Sequence, residues 1–388
     1  MSLNSNLSIP FNAHPAPGFL FVICQHGAEK ALKAEIAREH PQLRFAFSRP
    51  GFVTFKVDPI GSLPEKFALR STLARTAGWS LGKVSGEDAL VLADDLINKL
   101  HLDPQASIHL HVFQRDGNVP GTHGFEPGPT QLAHEIANVV SERLQSQGVS
   151  VEVNRVVKPD EWVIDLVLVE PQQWWFGYHV ANTVPGRWPG GVPPIDTSKD
   201  VVSRAYFKAL EALEWSGIEI LPEHHCAEIG SSPGGCCQLL LEKGARVIGI
   251  DPALMDSEIQ EHPNFTHLRR RGHEVRKRDL SDVKWLFADL NIVPNYTLDT
   301  ISEIVSHQSV NVTGVVLTLK LTDWNLIHAV PDHMQRLRSL GLGVVKARQL
   351  AFNRQEYCLV GIKDKFALRI GKKTARQAHR NPSSSDDV

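Results

Sequence analysis

The sequence contains little cysteine and no long apolar run. Its 388 residues include only five cysteines, which are Cys24, Cys226, Cys236, Cys237 and Cys358. They show neither a C-x-x-C pair nor a Cys/His cluster at zinc-ligand spacing, so we expect reduced thiols and no bound metal. No stretch approaches the ~18 uninterrupted apolar residues of a membrane span, and the N-terminus lacks the basic and apolar regions of a secretion signal. These absences predict a cytoplasmic chain without a membrane partner.

The chain also lacks an excess of either charge. Its 41 lysines and arginines against 43 aspartates and glutamates give a net charge of −2. A strongly basic protein attracts nucleic acid through its overall field, and this chain has no such field, so local patches would have to hold a polyanionic partner. Charged residues at 22% and hydrophobic residues at 42% are typical of a folded globular chain. The length predicts two or three domains.

Composition and periodicity divide the chain into five segments. Residues 1–17 are polar and proline-rich and are expected to form a flexible leader, and residues 365–388 are expected to form a basic flexible tail. Residues 18–182 alternate short apolar strands with helical runs in α+β order, as one module or as two in tandem. Residues 183–197 are predicted to be a linker, because the stretch NTVPGRWPGGVPPI carries four prolines and three glycines. Residues 198–364 carry near-continuous apolar strands between helices, which predicts an α/β domain with a doubly wound parallel sheet.

The strongest local motif is the turn EIGSSPGG at residues 228–235. It follows an apolar strand and precedes a helical run, and its small residues let a ligand approach the backbone and the helix N-terminus. Asp251 ends the next strand, 21 residues beyond Gly230, where nucleoside-binding folds place a carboxylate on ribose hydroxyls. The spacing is not G-x-G-x-x-G, and Pro233 replaces an amide that a pyrophosphate would need. S-adenosylmethionine (SAM) therefore fits better than NAD, and a turn without any ligand is the alternative.

Several further motifs of the second half occur in the order found in one known family. They are SRAYFK at 203–208, SSPGG at 231–235, Ala288-Asp289, Leu319-Lys320-Leu321 and NRQE at 353–356. Over this span the sequence resembles the FtsJ-like ribose 2′-O-methyltransferases, which implies a Rossmann-like, SAM-dependent domain. The resemblance also implies a catalytic tetrad of Lys208, Asp289, Lys320 and Glu356. The cofactor site that it implies is formed by Ser203, Gly230, Ser232, Pro233, Gly234, Gly235, Asp251 and Asp289.

The resemblance assigns the general base to Lys320 and a neighbouring cation to Lys208. Methyl transfer from a sulfonium to a ribose hydroxyl is an in-line displacement in which the hydroxyl must lose its proton, so a base must lie within hydrogen-bond reach. A lysine accepts a proton only when it is neutral; a second cation and desolvation favour the neutral form, whereas carboxylates oppose it. Asp289 and Glu356 are therefore expected to act by orientation and charge balance. Taken singly, each of the four residues is also compatible with a charge on a solvated face.

Within that family the chain resembles the RlmM type, the bacterial large-subunit ribosomal RNA cytidine 2′-O-methyltransferases. The similarity rests on FVICQHGAEKALKAEI at 21–36, Phe176-Gly177-Tyr178 with Asn182, the tetrad region and ARQL at 347–350. It implies that residues 18–182 comprise a ferredoxin-like part and a THUMP module, which is an RNA-binding unit. The implied partner is RNA, in particular ribosomal RNA.

Two departures from the family pattern bear on the cofactor. Cys236 stands where the family has a tryptophan. Arg269, Arg270 and Arg271 stand at the strand end from which the family directs a carboxylate to the adenine amino group, and Asp279 could replace that carboxylate only if the strand ran further. Three alternatives therefore stay open: a non-catalytic RNA-binding or ribosome-assembly protein on a methyltransferase fold, the same chemistry on transfer RNA or an mRNA cap, and a small-molecule methyltransferase.

Two basic clusters and an aromatic pair offer further hypotheses. Six cations lie between Arg269 and Arg278, and a second group begins at Lys363. Either cluster could follow a phosphate backbone or form a solvated face. Trp174 and Trp175 could stack on unpaired bases, but we expect them in the core because they adjoin a predicted strand.

Overall fold

A computed structural model describes residues 17–103 and 106–364 of the chain. The predicted leader, apart from Pro17, and the predicted tail 365–388 lie outside the described residues. The chain divides into two compact units between Pro194 and Ile195. Within the described ranges, no helix is both long enough and apolar enough to span a bilayer.

The first unit is built on one mixed sheet. Within residues 17–103 and 106–194 its strands are β1 (Phe19–Ile23), β2 (Leu43–Arg49), β3 (Phe52–Val57), β4 (Thr76–Ser85), β5 (Ser107–Gln114), β6 (Ser150–Val153), β7 (Trp162–Glu170) and β8 (Gln173–Val180). Its helices are α1 (Glu29–Glu39), α2 (Ala89–Leu100) and α3 (Gln131–Ser146). The spatial order is β2-β3-β1-β4-β8-β7-β5-β6. Because β4 pairs with β8 in the middle, the two α+β parts of residues 18–182 share a single sheet.

Large apolar side chains form the core of this sheet. A buried cluster joins strands β1, β3, β5 and β7 through Phe21, Ile23, Phe52, Phe113, Val167 and Val169. Trp174 is fully buried, whereas Trp175 is half-buried against Phe47, with ring centroids 5.5 Å apart. Trp174 thus lies in the core, and Trp175 lies at its margin.

The segment 183–197 differs from the predicted linker, because most of it is folded into the first unit. Two 3-10 turns, Pro185–Arg187 and Pro189–Gly191, contain buried residues. Arg187 exchanges hydrogen bonds with Val157: its carbonyl accepts from the Val157 amide at 3.1 Å, and its Nε donates to the Val157 carbonyl at 2.7 Å. Glycine lets the backbone pack tightly here, since Gly191 has a φ of +72° and a Cβ at this position would overlap the Arg75 carbonyl.

A buried ion pair holds the first of these turns on the sheet. The His179 Nδ1 lies 2.5 Å from Asp165 Oδ2, and its Nε2 lies 2.6 Å from the Gly186 carbonyl oxygen. An ionised Asp165 and a carbonyl can only accept, so this arrangement favours a proton on both ring nitrogens and a cationic imidazole. Burial of the ring opposes this state, but the Asp165 carboxylate and the Gly186 carbonyl hold the pKa of His179 above its ordinary value.

The second unit is an open α/β sheet. Within residues 195–364 its strands are β9 (His225–Ile229), β10 (Arg246–Ile250), β11 (Phe265–Leu268), β12 (Trp285–Asp289), β13 (Gly314–Lys320), β14 (Val344–Arg348) and β15 (Glu356–Ile362). Its helices are α4 (Ala205–Ser216), α5 (Gly235–Glu242), α6 (Ser257–Gln260), α7 (Pro294–Val305) and α8 (Val330–Ser339). The predicted mixed α/β fold with a doubly wound second half is confirmed.

The order of this sheet, β11-β10-β9-β12-β13-β15-β14, determines where a ligand can enter. The chain runs outward from β9 through β10 to β11, and then returns to the other side of β9 for β12 and β13. These five strands are parallel, and β15 runs antiparallel between β13 and β14. Ligands of such sheets bind at the carboxyl ends of the strands where the order reverses, which here is between β9 and β12.

The charged state of His179 predicts a pH-dependent stability of the first unit. Its pKa is raised above 6.5 in the folded chain, so the pair stabilises fully below that value and the stabilisation is lost as pH rises through the folded-state pKa. His179→Gln leaves Asp165 buried without its counter-charge and should lower the free energy of unfolding at pH 6 by about 3 to 5 kcal/mol. The deficit relative to the parent should shrink as pH rises.

Urea unfolding, followed by tryptophan fluorescence at pH 6 and at higher pH, measures the free energy of unfolding of the variant and of the parent. His134→Gln is the matched control, because His134 is exposed on α3 of the same unit. An equal deficit for His179→Gln at all pH values would contradict a buried imidazolium.

Candidate active site

Three glycines shape the turn between β9 and α5. Gly230 has a φ of +80°, and a Cβ there would lie 2.6 Å from the Asp289 carbonyl oxygen. Gly234 has a φ of +127°, with Ile259 Cγ1 at 2.9 Å from the same hypothetical atom. A Cβ on Gly235 would overlap Ser203, whose carbonyl oxygen would lie at 2.7 Å. The turn therefore packs directly against β12 and the residues before α4, and no larger residue fits at these positions.

Polar groups around this turn fit the nucleoside and amino-acid parts of SAM. The first turn of α5 has no side-chain cap, so its amide groups are available to a ligand. Ser203 Oγ is buried and has no hydrogen-bond partner among the described residues. Asp251 follows β10 directly, and its carboxylate accepts from the amides of Ser232 at 3.2 Å and Ala253 at 2.8 Å. Ser232 Oγ donates to the Leu254 carbonyl at 2.7 Å, which fixes the turn ahead of Pro233.

The four tetrad residues come from four different elements. Asp289 and Lys320 end the neighbouring parallel strands β12 and β13, so both lie at the carboxyl edge of the sheet. Glu356 begins β15 and is the direct antiparallel partner of Lys320. Lys208 projects from the first turn of α4. The structure thus brings together the four side chains whose proximity the family order implied.

Their charges form a closed ring of ion pairs. Lys208 bonds Asp289 Oδ2 and lies 3.2 Å from Glu356 Oε1. Lys320 lies 2.8 Å from Asp289 Oδ1 and bonds Glu356 Oε2. Burial favours the uncharged forms, but in Lys208 the two carboxylates outweigh it and raise the pKa. In Glu356 the two ammonium groups outweigh burial and lower the pKa to about 2.

A second set of contacts positions the ring, and sequence reasoning missed it. Glu211 lies about one helical turn beyond Lys208 and is fully buried, where its carboxylate accepts from the amides of Ala351 at 2.8 Å and Phe352 at 3.0 Å. Asn353 Nδ2 donates to Glu356 Oε1 at 3.3 Å. These bonds connect α4, which carries Lys208, to the loop that precedes Glu356. They therefore fix the positions of Lys208 and Glu356 relative to each other.

Glu228 lies beneath the ring in a neutral form. It points into a cavity of about 20 Å³, room for roughly one water molecule, that Lys208, Asp289, Cys236 and Thr318 also line. Cys237 Sγ donates to its Oε2 at 3.0 Å, and burial raises the pKa of Glu228 to about 8. Burial also raises the pKa of both vicinal thiols, Cys236 and Cys237. A carboxylate inside the apolar strand HCAEI was the sequence signal for this residue.

Asp279, the alternative source of a carboxylate for the adenine amino group, does not lie on strand β11. Strand β11 ends at Leu268, and Arg269, Arg270 and Arg271 follow it at the carboxyl edge. Asp279 lies on the separate 3-10 turn Lys277–Leu280 and accepts from Arg276 Nε at 3.0 Å. The strand therefore does not run further, and arginines occupy this position.

The fold and the site define a class of protein. A doubly wound sheet with a glycine turn and a carboxylate after the second strand is a nucleoside-binding α/β domain. The FtsJ-like methyltransferase family matches residues 201–330. Residues 201–330 are therefore similar to the FtsJ-like methyltransferases, and this similarity supports S-adenosylmethionine as the cofactor.

Curated relatives are similar to parts of the chain. The protein named ribosomal RNA large subunit methyltransferase M of Halorhodospira halophila is 26% identical over 44% of this chain and 49% of its own length. The protein of the same name from Laribacter hongkongensis is 27% identical over 44% and 50%. That from Shewanella amazonensis is 24% identical over 70% and 76%. The chain thus spans about half the length of the first two relatives, and the predicted similarity to the RlmM type is confirmed.

The buried Glu228 predicts a specific change in the pH dependence of stability. Between 4.5, its ordinary pKa, and about 8, the folded chain holds one proton that the unfolded chain has lost. This carboxyl therefore lowers the free energy of unfolding as pH rises, by at most roughly 1.4 kcal/mol per pH unit, and has no further effect above about 8. Glu228→Gln keeps the neutral shape and should remove this slope, so the variant should gain stability relative to the parent between pH 5 and 8.

Hydrogen exchange of peptides covering β9, measured across this pH range, tests the slope. Glu258→Gln serves as the control, because Glu258 is exposed on α6 of the same unit. Parallel slopes for the parent and Glu228→Gln would show that the buried carboxyl is ionised in the folded chain.

Proposed function

We propose that the chain transfers a methyl group from SAM to a ribose 2′-hydroxyl of RNA. The observation that supports this is the closed ring of Lys208, Asp289, Lys320 and Glu356, whose Asp289 backbone packs against Gly230 of the turn proposed to bind the cofactor. Bound at this turn, SAM supplies an electrophilic methyl group. The ring then lies beside the place where a hydroxyl nucleophile must approach.

Lys320 is the proposed base of the reaction. Lys320 Nζ would take the proton of the ribose hydroxyl, and SAM held at the turn would supply the methyl group to the hydroxyl oxygen and leave as the neutral thioether. Asp289 and Glu356 hold Nζ in position through the bonds described above, and Lys208 balances their charge. An ammonium group cannot accept a proton, so the proposed base acts through the neutral amine of Lys320.

The substrate is proposed to be large-subunit ribosomal RNA. The names of the curated relatives support this substrate, because each of them is a large-subunit ribosomal RNA methyltransferase. The first unit is proposed to comprise a ferredoxin-like part and a THUMP module and to bind RNA. A ribosomal substrate would place the reaction in the cytoplasm.

The decisive variant is Lys320→Ala. The parent protein should transfer radiolabelled methyl from SAM into RNA of cells that lack the gene. The label should resist alkaline hydrolysis within a dinucleotide, because a methylated 2′-oxygen cannot attack the adjacent phosphate. Loss of the base should reduce the rate by about 10² to 10⁴. Lys284→Ala is the control, because Lys284 is an exposed lysine at the amino end of β12, the opposite edge of the sheet.

If alkaline hydrolysis releases the label from the dinucleotide, the methylated atom of the RNA is not a ribose 2′-oxygen. Parental activity in Lys320→Ala would remove Lys320 from the role of base. Fractionated transfer RNA, capped mRNA and ribosomal particles, assayed in parallel, distinguish the proposed substrate from the other RNA classes.

A non-catalytic RNA-binding or assembly role is the second candidate. The observation that favours it is the arginine run after β11, where a carboxylate for the adenine amino group was expected. Calorimetric titration with SAM separates the two functions. Binding that Asp251→Ala weakens at least tenfold supports the enzyme, whereas a folded parent without detectable heat of binding would favour the second candidate.

A further inference from the structure

The arginine run after β11 borders the crevice of the proposed cofactor site. Arg269 Nε donates to the carbonyl of Pro252, the residue after Asp251, at 3.2 Å. Next to Arg271, Gly272 lies so close to β9 and α7 that a Cβ would approach Ile229 Cγ2 to 2.7 Å and Thr300 Cγ2 to 3.1 Å. The run therefore crosses the carboxyl edge of the sheet between the Asp251 loop and α7.

Among the residues that the structure describes, the guanidinium groups of this run have no ion-pair partner. Arg276 and Lys277, further along the same segment, are paired with Asp279 at 3.0 Å and Glu303 at 2.6 Å. Over the described ranges, Arg269, Arg270 and Arg271 form no such pair. Three adjacent guanidinium groups repel one another, and their planar donors match the oxygens of phosphate groups. The net charge of the chain is −2, so this local excess of positive charge does not reflect the overall composition.

An exposed aromatic residue lies on α7, the helix that packs against Gly272 at the end of the arginine run. Tyr296 is 65% exposed in the first turn of α7. Its carbonyl accepts from Thr300 Oγ1 at 3.0 Å, and Thr300 in turn lies against Gly272. Ile292 and Val293, just before this helix, are also exposed. Aromatic rings beside cations bind single-stranded nucleic acid, because bases stack on the rings while phosphates meet the charges.

The position of the run fits nucleotides that flank a target rather than the target itself. Three inter-strand spacings separate β11 from β12 in the sheet, which is about 14 Å at ~4.8 Å per spacing. A stacked strand advances ~3.4 Å per nucleotide, so the arginines lie about four nucleotides from Asp289.

We propose that Arg269, Arg270, Arg271 and Tyr296 form a binding surface for single-stranded RNA next to the methylated nucleotide, an inference that rests on the proposed function. The arginines contact the phosphates, and Tyr296 stacks on an unpaired base. SAM is a poorer occupant for the arginines, because its sulfonium and amino group are cationic and its single carboxylate cannot match three guanidinium groups.

The test compares two triple variants. Arg269→Gln/Arg270→Gln/Arg271→Gln removes the surface, and Lys243→Gln/Arg246→Gln/Lys284→Gln removes the same charge near the amino edge of the same sheet. The probe is a fluorescein-labelled single-stranded RNA of about 12 nucleotides. The logarithm of the affinity falls as the logarithm of the salt concentration rises, and each phosphate contact adds ~0.7 to the steepness of this fall. The arginine variant should therefore have a slope that is less steep than the parental one by about 2. The control should keep the parental slope.

Tyr296 gives an independent readout. Tyr296→Ala should lower the affinity about fivefold or more without changing the salt slope, because stacking releases no counterions. Tyr296→Phe keeps the ring and should bind as the parent does.

The remaining outcomes separate this surface from the proposed function. The proposed surface is wrong if the arginine variant keeps the parental salt slope, or if the control variant loses as much of that slope. It is also wrong if the parent binds no RNA. A loss of SAM affinity in the arginine variant as large as its loss of RNA affinity would contradict it as well. Methyl transfer by the parent with an unchanged KM in the arginine variant overturns the surface and leaves the function intact. Arginine-dependent RNA binding by a parent that transfers no methyl group overturns the function and leaves the surface intact.

Discussion

The ring of alternating charges at the carboxyl edge is the constraint on which the second unit depends. Two ammonium groups and two carboxylates, 6% to 18% exposed, neutralise one another. Removing any one leaves a partly buried charge without its partner, which costs more than the pair contributes. Because the four residues come from α4, β12, β13 and β15, the ring is both the proposed reactive site and a cross-link between elements that are distant in sequence.

The electrostatics below the ring complete this arrangement. Glu228 shares a small cavity with Lys208 and Asp289, so an ionised Glu228 would add a third carboxylate next to the two of the ring. Desolvation keeps Glu228 neutral instead, so the ring above retains its charge balance. The buried thiol of Cys237 donates to this carboxyl. The vicinal cysteines are thus part of the polar packing under the site, and a bulky residue at Cys236 would occupy the same cavity.

The local features of the site could be predicted from the sequence, and its long-range features could not. Apolar runs end at Asp289 and Lys320, and β12 and β13 end at those residues. The proximity of Lys208 and Glu356 depends on the pairing of β15 with β13 and on the bonds of Glu211, which no local pattern reveals. The segment 183–194 shows a second limit, because proline and glycine occur both in linkers and in turns that pack closely, and only tertiary contacts distinguish the two.

The direct pairing of Lys320 with Glu356 also limits how the chain can vary in length. Side chains of a strand alternate between its two faces, so one residue gained or lost between Gln349 and Gln355 would turn Glu356 away from Lys320 wherever it shifted the register of β15. The amides that Glu211 holds lie in the same loop, which leaves little slack to absorb such a change. Natural insertions and engineered domain fusions should therefore be absent from this loop, and its length should be inherited as strictly as the charged residues that it serves.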